Sequence, residues 1–152
     1  MRCVGWILLV LAAGVLDAPR SVRAEEPSEA PLAVVVGARS PVQRVTLDEL
    51  RELYLRRQRL WADGSRAIPV NLPPDSPHRE LFSRRVLGRS TRDLVSYWNT
   101  RYFDGITPPT VLPSTSAVRA YLATEPGAIA YLPAHEVDAE CRVVLRIAPE
   151  AR

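Results

Sequence analysis

Three polar segments of this sequence carry residue types that can bind a small anion. Arg39 and Ser40 follow an apolar run, residues 75–79 read DSPHR, and residues 114–116 read STS. Helix N-termini present unpaired N–H groups and the positive end of the helix dipole, while hydroxyl and guanidinium groups add further donors. If the three segments converge in the fold, they predict an oxyanion site. The candidate ligand-binding residues are Arg39, Ser40, Ser76, Arg79, Ser114 and Thr115.

A second interpretation of these segments is purely structural. Ser76 and Ser114 could be ordinary helix caps, and Arg79 could be a surface or packing arginine. Asp75 disfavours a fully charged anion unless an arginine neutralises it or the anion is protonated. No serine has a His/Asp partner at a recognisable spacing, and the two histidines have no ligand cluster around them. We therefore predict no enzyme, no catalytic residue, no metal and no cofactor.

The elements that position these segments alternate between strand and helix patterns. The apolar run at residues 32–38 predicts a strand buried on both faces, typical of a parallel sheet. Thr46 and Glu49 form a capping box that starts a helix at Leu47, and Pro77 opens a second helix. The fold class is therefore α/β, a mainly parallel sheet flanked by helices. In such a sheet the loops that follow the strands emerge at one edge, so we expect the three segments to converge.

The aromatic residues are interpreted as core rather than as a stacking platform, and the two mature tryptophans are expected to be largely buried. Ser90 or Thr91 is predicted to cap the next helix. The aromatic set is Tyr54, Trp61, Phe82, Trp98, Tyr102, Phe103 and Tyr131.

The N-terminal residues have the pattern of a secretory signal. A charged start, an apolar run at residues 4–16 and the VRA sequence before Glu25 predict residues 1–24 as a signal peptide cleaved after Ala24, with an uncleaved anchor as the alternative. Residues 25–31 are expected to be flexible, and residues 32–148 to form one domain in the periplasm.

The mature chain carries 17 Arg against 16 Asp and Glu, a net charge of +1, which disfavours nucleic acid as a partner. Cys141 then has no internal disulfide partner.

Four blocks in this order resemble the substrate-binding proteins of phosphate ABC transporters. They are LRELYL at residues 50–55, Trp61, Phe82 and GAIAY at residues 127–131, and the resemblance covers residues 32–132. It implies one lobe of a periplasmic binding protein type II-like fold, since the chain is too short for the two lobes of that family. Members of that family bind the anion through an Arg and an Asp that come just before a Ser-Gly-Thr sequence at the start of a helix. Here only Ser76 matches clearly, Pro77 and His78 replace the Gly and Thr, and Ala130 stands where the family has a second Gly.

The resemblance implies weak or degenerate binding of phosphate or a related oxyanion. Its implied partners are that anion and a membrane transporter or sensor, or a second copy of the chain in a homodimer. The competing hypothesis is a protein-interaction or sensory accessory module that keeps the lobe as a scaffold.

Overall fold

The computed structural model describes residues 31–148, and the predicted signal peptide and nearly all of the predicted flexible segment lie outside this range. Within residues 31–148, no helix is long and apolar enough to cross a membrane. The strands are β1 Leu32–Gly37, β2 Ile68–Asn71, β3 Thr110–Val111, β4 Ala128–Pro133 and β5 Cys141–Ile147. The α-helices are α1 Leu47–Tyr54, α2 Pro77–Phe82, α3 Thr91–Phe103 and α4 Thr115–Thr124. A π-helical segment, Ser83–Leu87, extends α2, and a 3-10 helix, Ala134–Glu136, follows β4.

Local signals set the helix starts that the sequence predicted. Thr46 caps α1 by accepting from the Glu49 N–H at 3.2 Å, and the Glu49 carboxylate accepts from the Thr46 N–H at 2.9 Å. Ser90 caps α3 in the same reciprocal way. Pro77 is the first residue of α2, where the missing N–H removes no helical bond. These interactions are complete within four residues, so they could be predicted without the tertiary fold.

The five strands form one mixed sheet in the order β3-β2-β4-β1-β5. Strand β2 is parallel to β3 and β4, while β1 is antiparallel to both of its neighbours, β4 and β5. Four strands therefore run in one direction and β1 alone opposes them. Every residue of β1 and β4 is buried, so both faces of the sheet centre are covered. The predicted fold class, an α/β fold with a mainly parallel sheet, is confirmed.

The first strand lies inside this mainly parallel sheet, as predicted, but it runs antiparallel to both of its neighbours. The continuous apolar run of β1 reflects burial on both faces, but such burial does not fix strand direction. Because β1 runs against β4, the chain leaves β1 at the edge of the sheet where β2, β3 and β4 begin. The residues after β1 are thereby separated from those that follow β2 and β3.

The aromatic residues divide into a core group and an exposed group. Phe82 stacks on Tyr131 with ring centroids 4.0 Å apart and lies 4.5 Å from Tyr54, and all three are essentially inaccessible to solvent. Tyr102 and Phe103, at the end of α3, are 69% and 90% exposed, so the core prediction is wrong for them. Leu94 is the one fully buried residue of α3, so the other apolar residues of this helix lie largely outside the core.

The tryptophans are less buried than expected. Trp61 is half-buried against the core and donates its indole N–H to the Gly127 carbonyl at 3.0 Å. Trp98 is also half-buried and packs edge-on against Tyr97 with centroids 4.9 Å apart. Of the two, only Trp61 packs against the buried core cluster, so the expectation of two largely buried tryptophans is wrong.

Cys141 is a buried free thiol at the start of β5. Burial, with the nearby Asp138 carboxylate, raises the pKa of the thiol to about 11. The thiol is therefore protonated at neutral pH and a poor nucleophile.

Candidate functional site

The candidate site lies where β2, β3 and β4 end, which we call the carboxyl edge of the sheet. Asn71, the last residue of β2, accepts a backbone hydrogen bond from Leu112, which follows β3, at 2.9 Å. The chain then leaves β2 towards α2, β3 towards α4 and β4 towards the 3-10 helix. The starts of α2 and α4 therefore emerge at the same edge, as expected for adjacent parallel strands.

A buried network of hydrogen bonds lies beneath the carboxyl edge, at the end of β2. The Tyr131 hydroxyl donates to Asn71 Oδ1 at 3.1 Å and accepts from the Leu72 N–H at 3.3 Å. Arg79 Nη1 in turn donates to the Leu72 carbonyl at 2.8 Å. Asn71 is 8% exposed, so its side-chain amide is held against the tyrosine rather than offered to solvent. The network fixes the segment between β2 and α2 in one position.

Both core tyrosines are neutral groups. Burial raises the pKa of Tyr131 well above its usual value, although the Leu72 N–H and the Arg79 charge oppose the shift. Burial also raises the pKa of Tyr54, whose hydroxyl donates to the Val70 carbonyl at 2.8 Å. Neither phenol can act as a base near neutral pH, and both serve as fixed hydrogen-bonding groups.

The start of α2 carries the side-chain hydrogen-bond donors at this edge that have the fewest partners within the protein. Ser76 is the N-cap residue, but its side chain makes no capping hydrogen bond, so the hydroxyl is available to a ligand. Arg79 is half-exposed and uses one guanidinium nitrogen for the Leu72 carbonyl, which leaves further N–H groups. Pro77 removes one N–H, and the Ser76 carbonyl accepts from the Arg79 and Glu80 amides. One hydroxyl and part of one guanidinium group thus remain for an anion.

The start of α4 is already occupied by internal contacts. Ser114 Oγ accepts from the Ala117 N–H at 3.1 Å and pairs with Ser116 Oγ at 2.8 Å. The Thr115 hydroxyl lies close to the Glu136 carboxylate, and its interaction with that group is the main reason that the pKa of Glu136 lies below its usual value. A carboxylate therefore already lies beside this helix start and disfavours a second anion there.

A second set of contacts fixes that carboxylate. Arg119 Nη1 lies 3.3 Å from Glu136 Oε2, and Arg119 Nε lies 3.2 Å from Asp138 Oδ2. Arg119 is thus shared between two acids and adds little free positive charge to the edge.

Arg39 and Ser40 do not join this site, and their predicted convergence with the other segments is wrong. Arg39 Nη2 donates to the Ala123 carbonyl near the end of α4 at 2.7 Å, about 13.5 Å along that helix from Ser114. Ser40 is 3% exposed, and its hydroxyl accepts from the Val42 N–H at 3.4 Å. The cause is the reversed direction of β1, which carries both residues to the opposite edge.

The sequence did not predict that three residues would shape this edge: Tyr131, which it assigned only to the core, Glu136 and Arg119. Tyr131 belongs to the GAIAY block at residues 127–131. The partner of its hydroxyl, Asn71, lies on the neighbouring strand β2, so the strand pairing is needed to identify it. Within residues 31–148, no group of three or more His, Cys, Asp or Glu is arranged to hold a metal ion.

No family model matches the sequence, and no curated protein is significantly similar to it. Solved structures do match. A Clostridium perfringens protein described as a phosphate ABC transporter substrate-binding protein, with bound phosphate, has a TM-score of 0.62 at 17% identity, covering 76% of this chain and 45% of its own. An ABC-type phosphate transport receptor from Vibrio cholerae gives 0.61 at 19% identity, covering 76% and 46%. PstS from Borrelia burgdorferi gives 0.51 at 11% identity, covering 68% and 41%.

These matches define the class of fold. The described residues have the fold of one lobe of a periplasmic binding protein of type II, the fold of the phosphate transporter proteins named above. The chain spans less than half the length of those structures. At 11–19% identity the likeness is one of fold, and the resemblance that the sequence predicted is confirmed at that level.

Proposed function

We propose that this chain is an exported binding domain that holds phosphate or a related small oxyanion weakly at the carboxyl edge of its sheet. The observation that carries the proposal is the uncommitted Ser76 hydroxyl at the start of α2, with the half-exposed Arg79 three residues further on. A hydroxyl, a helix start and a guanidinium group together favour an anion. We propose a binding role rather than a catalytic one, since among residues 31–148 the side chains at this edge pair no nucleophile with a base.

The affinity should be low for three physical reasons. Pro77 removes one anion-facing N–H, Asn71 is bound to Tyr131, and Glu136 places a negative charge beside the neighbouring helix start. A site formed on one face of a lobe also leaves the bound ion partly in water. We expect a Kd of about 0.1 mM or weaker, equivalent to about 5.5 kcal/mol or less.

Export to the periplasm and delivery of the anion to a membrane transporter or a sensor complete the proposal. Mass spectrometry of periplasmic material should find a mature N-terminus at Glu25 if cleavage follows Ala24. An intact Met1, or a product that stays with the membrane, would contradict export by this signal.

The test of binding is an NMR titration of the chain with phosphate, sulfate and molybdate at constant ionic strength. Amides of residues 76–79 should shift with added anion. Removing one hydrogen-bond donor in S76A should weaken binding by about 1 kcal/mol, and R79A by about 1–3 kcal/mol. S96A, which removes an exposed hydroxyl on α3, is the matched control and should leave the affinity unchanged. Submicromolar binding, or equal effects of S76A and S96A, would refute the weak carboxyl-edge site.

A second candidate function is a protein-interaction or sensory accessory module. The observation that favours it is the exposed apolar side of α3, where Val95 is 56%, Tyr102 69% and Phe103 90% exposed. Exposed aromatic residues are enriched at protein interfaces. Light scattering across a concentration series would detect self-association, and replacing Tyr102 and Phe103 by Ser should abolish it. If no anion binds and the chain self-associates through α3, the accessory function replaces the first proposal.

A further inference from the structure

Three arginines are brought together at the edge of the sheet where β2 and β3 begin, opposite the carboxyl edge. A short hairpin precedes β2, in which Leu60 pairs with Arg66 and the Ala67 N–H donates to the Arg59 carbonyl at 2.9 Å. The hairpin places Arg59 and Arg66 near each other, and Arg56, just after α1, experiences the charge of both. Like charges held close together raise the free energy of the fold unless an anion accompanies them.

Among residues 31–148, no carboxylate forms an ion pair with these three arginines. The ion pairs formed there involve other arginines, and none includes Arg56, Arg59 or Arg66. Arg56 and Arg66 line a cleft of about 80 Å³ with residues 67–69 and 107–110, none of which is acidic. We call this the arginine cleft. Its volume exceeds the roughly 10–15 Å³ that a cavity needs to hold one water, so the cleft can admit a small ion.

Arg56 occupies a position where the backbone favours glycine. Its φ is 58°, in the left-handed region that follows many helices and that side chains with a Cβ rarely adopt. Burial, followed by the charges of Arg59 and Arg66, lowers the pKa of the Arg56 guanidinium. The fold thus tolerates backbone strain, partial burial and charge repulsion at one residue, and strain of this kind is concentrated at functional sites.

We propose that the arginine cleft is a second anion site, which binds a free tetrahedral oxyanion such as phosphate or sulfate. The planar guanidinium groups of Arg56 and Arg66 match the oxygens of such an ion, and the exposed Thr107 and Thr110 supply hydroxyl donors. The bound charge would offset the repulsion within the cluster. This site is independent of Ser76 and Arg79, which lie at the other end of β2.

The decisive variant is R56G, because glycine suits the left-handed backbone while it removes the guanidinium group. The full chain is titrated with sodium sulfate and, separately, with inorganic phosphate, and amide shifts are followed by NMR. Both anions should shift the amides of residues 66–68 and Thr110, and R56G should weaken this binding at least tenfold. R92A removes an exposed arginine of α3 as a charge-matched control and should change the affinity less than twofold.

A stability measurement separates a binding role from a structural role of Arg56. Without anion, R56G should melt at the same temperature as the parent chain or higher, since strain and repulsion are both relieved. Sulfate at 20 mM should raise the melting temperature of the parent more than that of R56G. Shifts confined to residues 76–79, no shift up to 50 mM anion, or equal affinity in R56G and R92A would each overturn the proposal. Destabilisation by R56G with unchanged anion response would do so too.

Discussion

The hydroxyl of Tyr131 should matter more to stability than that of any other buried tyrosine in the described core. In Y131F the stacked contact with Phe82 remains, but Asn71 Oδ1 and the Leu72 N–H both lose their partner. An unsatisfied buried group costs about 1–3 kcal/mol. Because the two hydrogen bonds are long, at 3.1 and 3.3 Å, the loss of each should cost an energy near the lower end of that range. We therefore expect Y131F to lower the free energy of unfolding by about 2–3 kcal/mol.

Y54F provides the matched control, because it removes a hydroxyl from the same aromatic cluster. The Tyr54 hydroxyl donates only to backbone carbonyls, those of Val70 and Ile129, and a carbonyl oxygen has a second lone pair for other bonds. Its loss should cost about 1 kcal/mol. Urea unfolding followed by tryptophan fluorescence gives both values, provided that the m-value stays constant.

A double-mutant cycle identifies the contact responsible. The pair N71A and Y131F should show a coupling energy of about 1 kcal/mol, since each mutation removes the same hydrogen bond. If Y131F costs no more than Y54F, or if the coupling is near zero, the polar network does not hold the segment between β2 and α2.

Two further changes test other parts of the fold. A Cβ at Gly37 would collide with the Leu122 backbone carbonyl, so G37A should lower the free energy of unfolding in urea by about 3 kcal/mol or more. G64A should lower it by about 1 kcal/mol, because the added Cβ meets no atom there and only the positive φ is unfavourable. Equal losses in the two variants would refute the close approach at Gly37. The Thr91 hydroxyl and N–H, with Arg84, hold the pKa of Glu80 below 4.5. A lowered pKa in the folded state adds stability above the unfolded pKa, which is lost as the pH falls through the folded value. Stability measured from pH 6 to 3 should therefore fall more steeply below pH 4.5 in the parent than in E80Q, and parallel curves would contradict the reasoning.

The features predicted correctly from the sequence are those whose causes are local. The capping box of Thr46 and Glu49, the Ser90 cap and Pro77 at the start of α2 involve neighbours in the chain, so residue type and spacing define them. The buried run of β1 was also predicted, because burial on both faces leaves a continuous apolar pattern.

The features that were missed depend on pairing between distant segments. The direction of β1 is set by β4 and β5, and it moved Arg39 and Ser40 away from the site. Thr115 and Glu136 approach each other from segments that follow different strands, so the sequence alone could not show that the start of α4 is occupied.

The position of β1 also constrains when the domain can fold. This strand is made early, yet its two partners, residues 128–133 and 141–147, lie about a hundred positions later in the chain. Contacts of such long sequence separation slow folding, because a large loop must close before they form. The centre of the sheet therefore cannot assemble until residues 128–147 have been synthesised. A nascent chain that stops before β4 exposes β1 as an unpaired apolar strand, which is a state prone to aggregation.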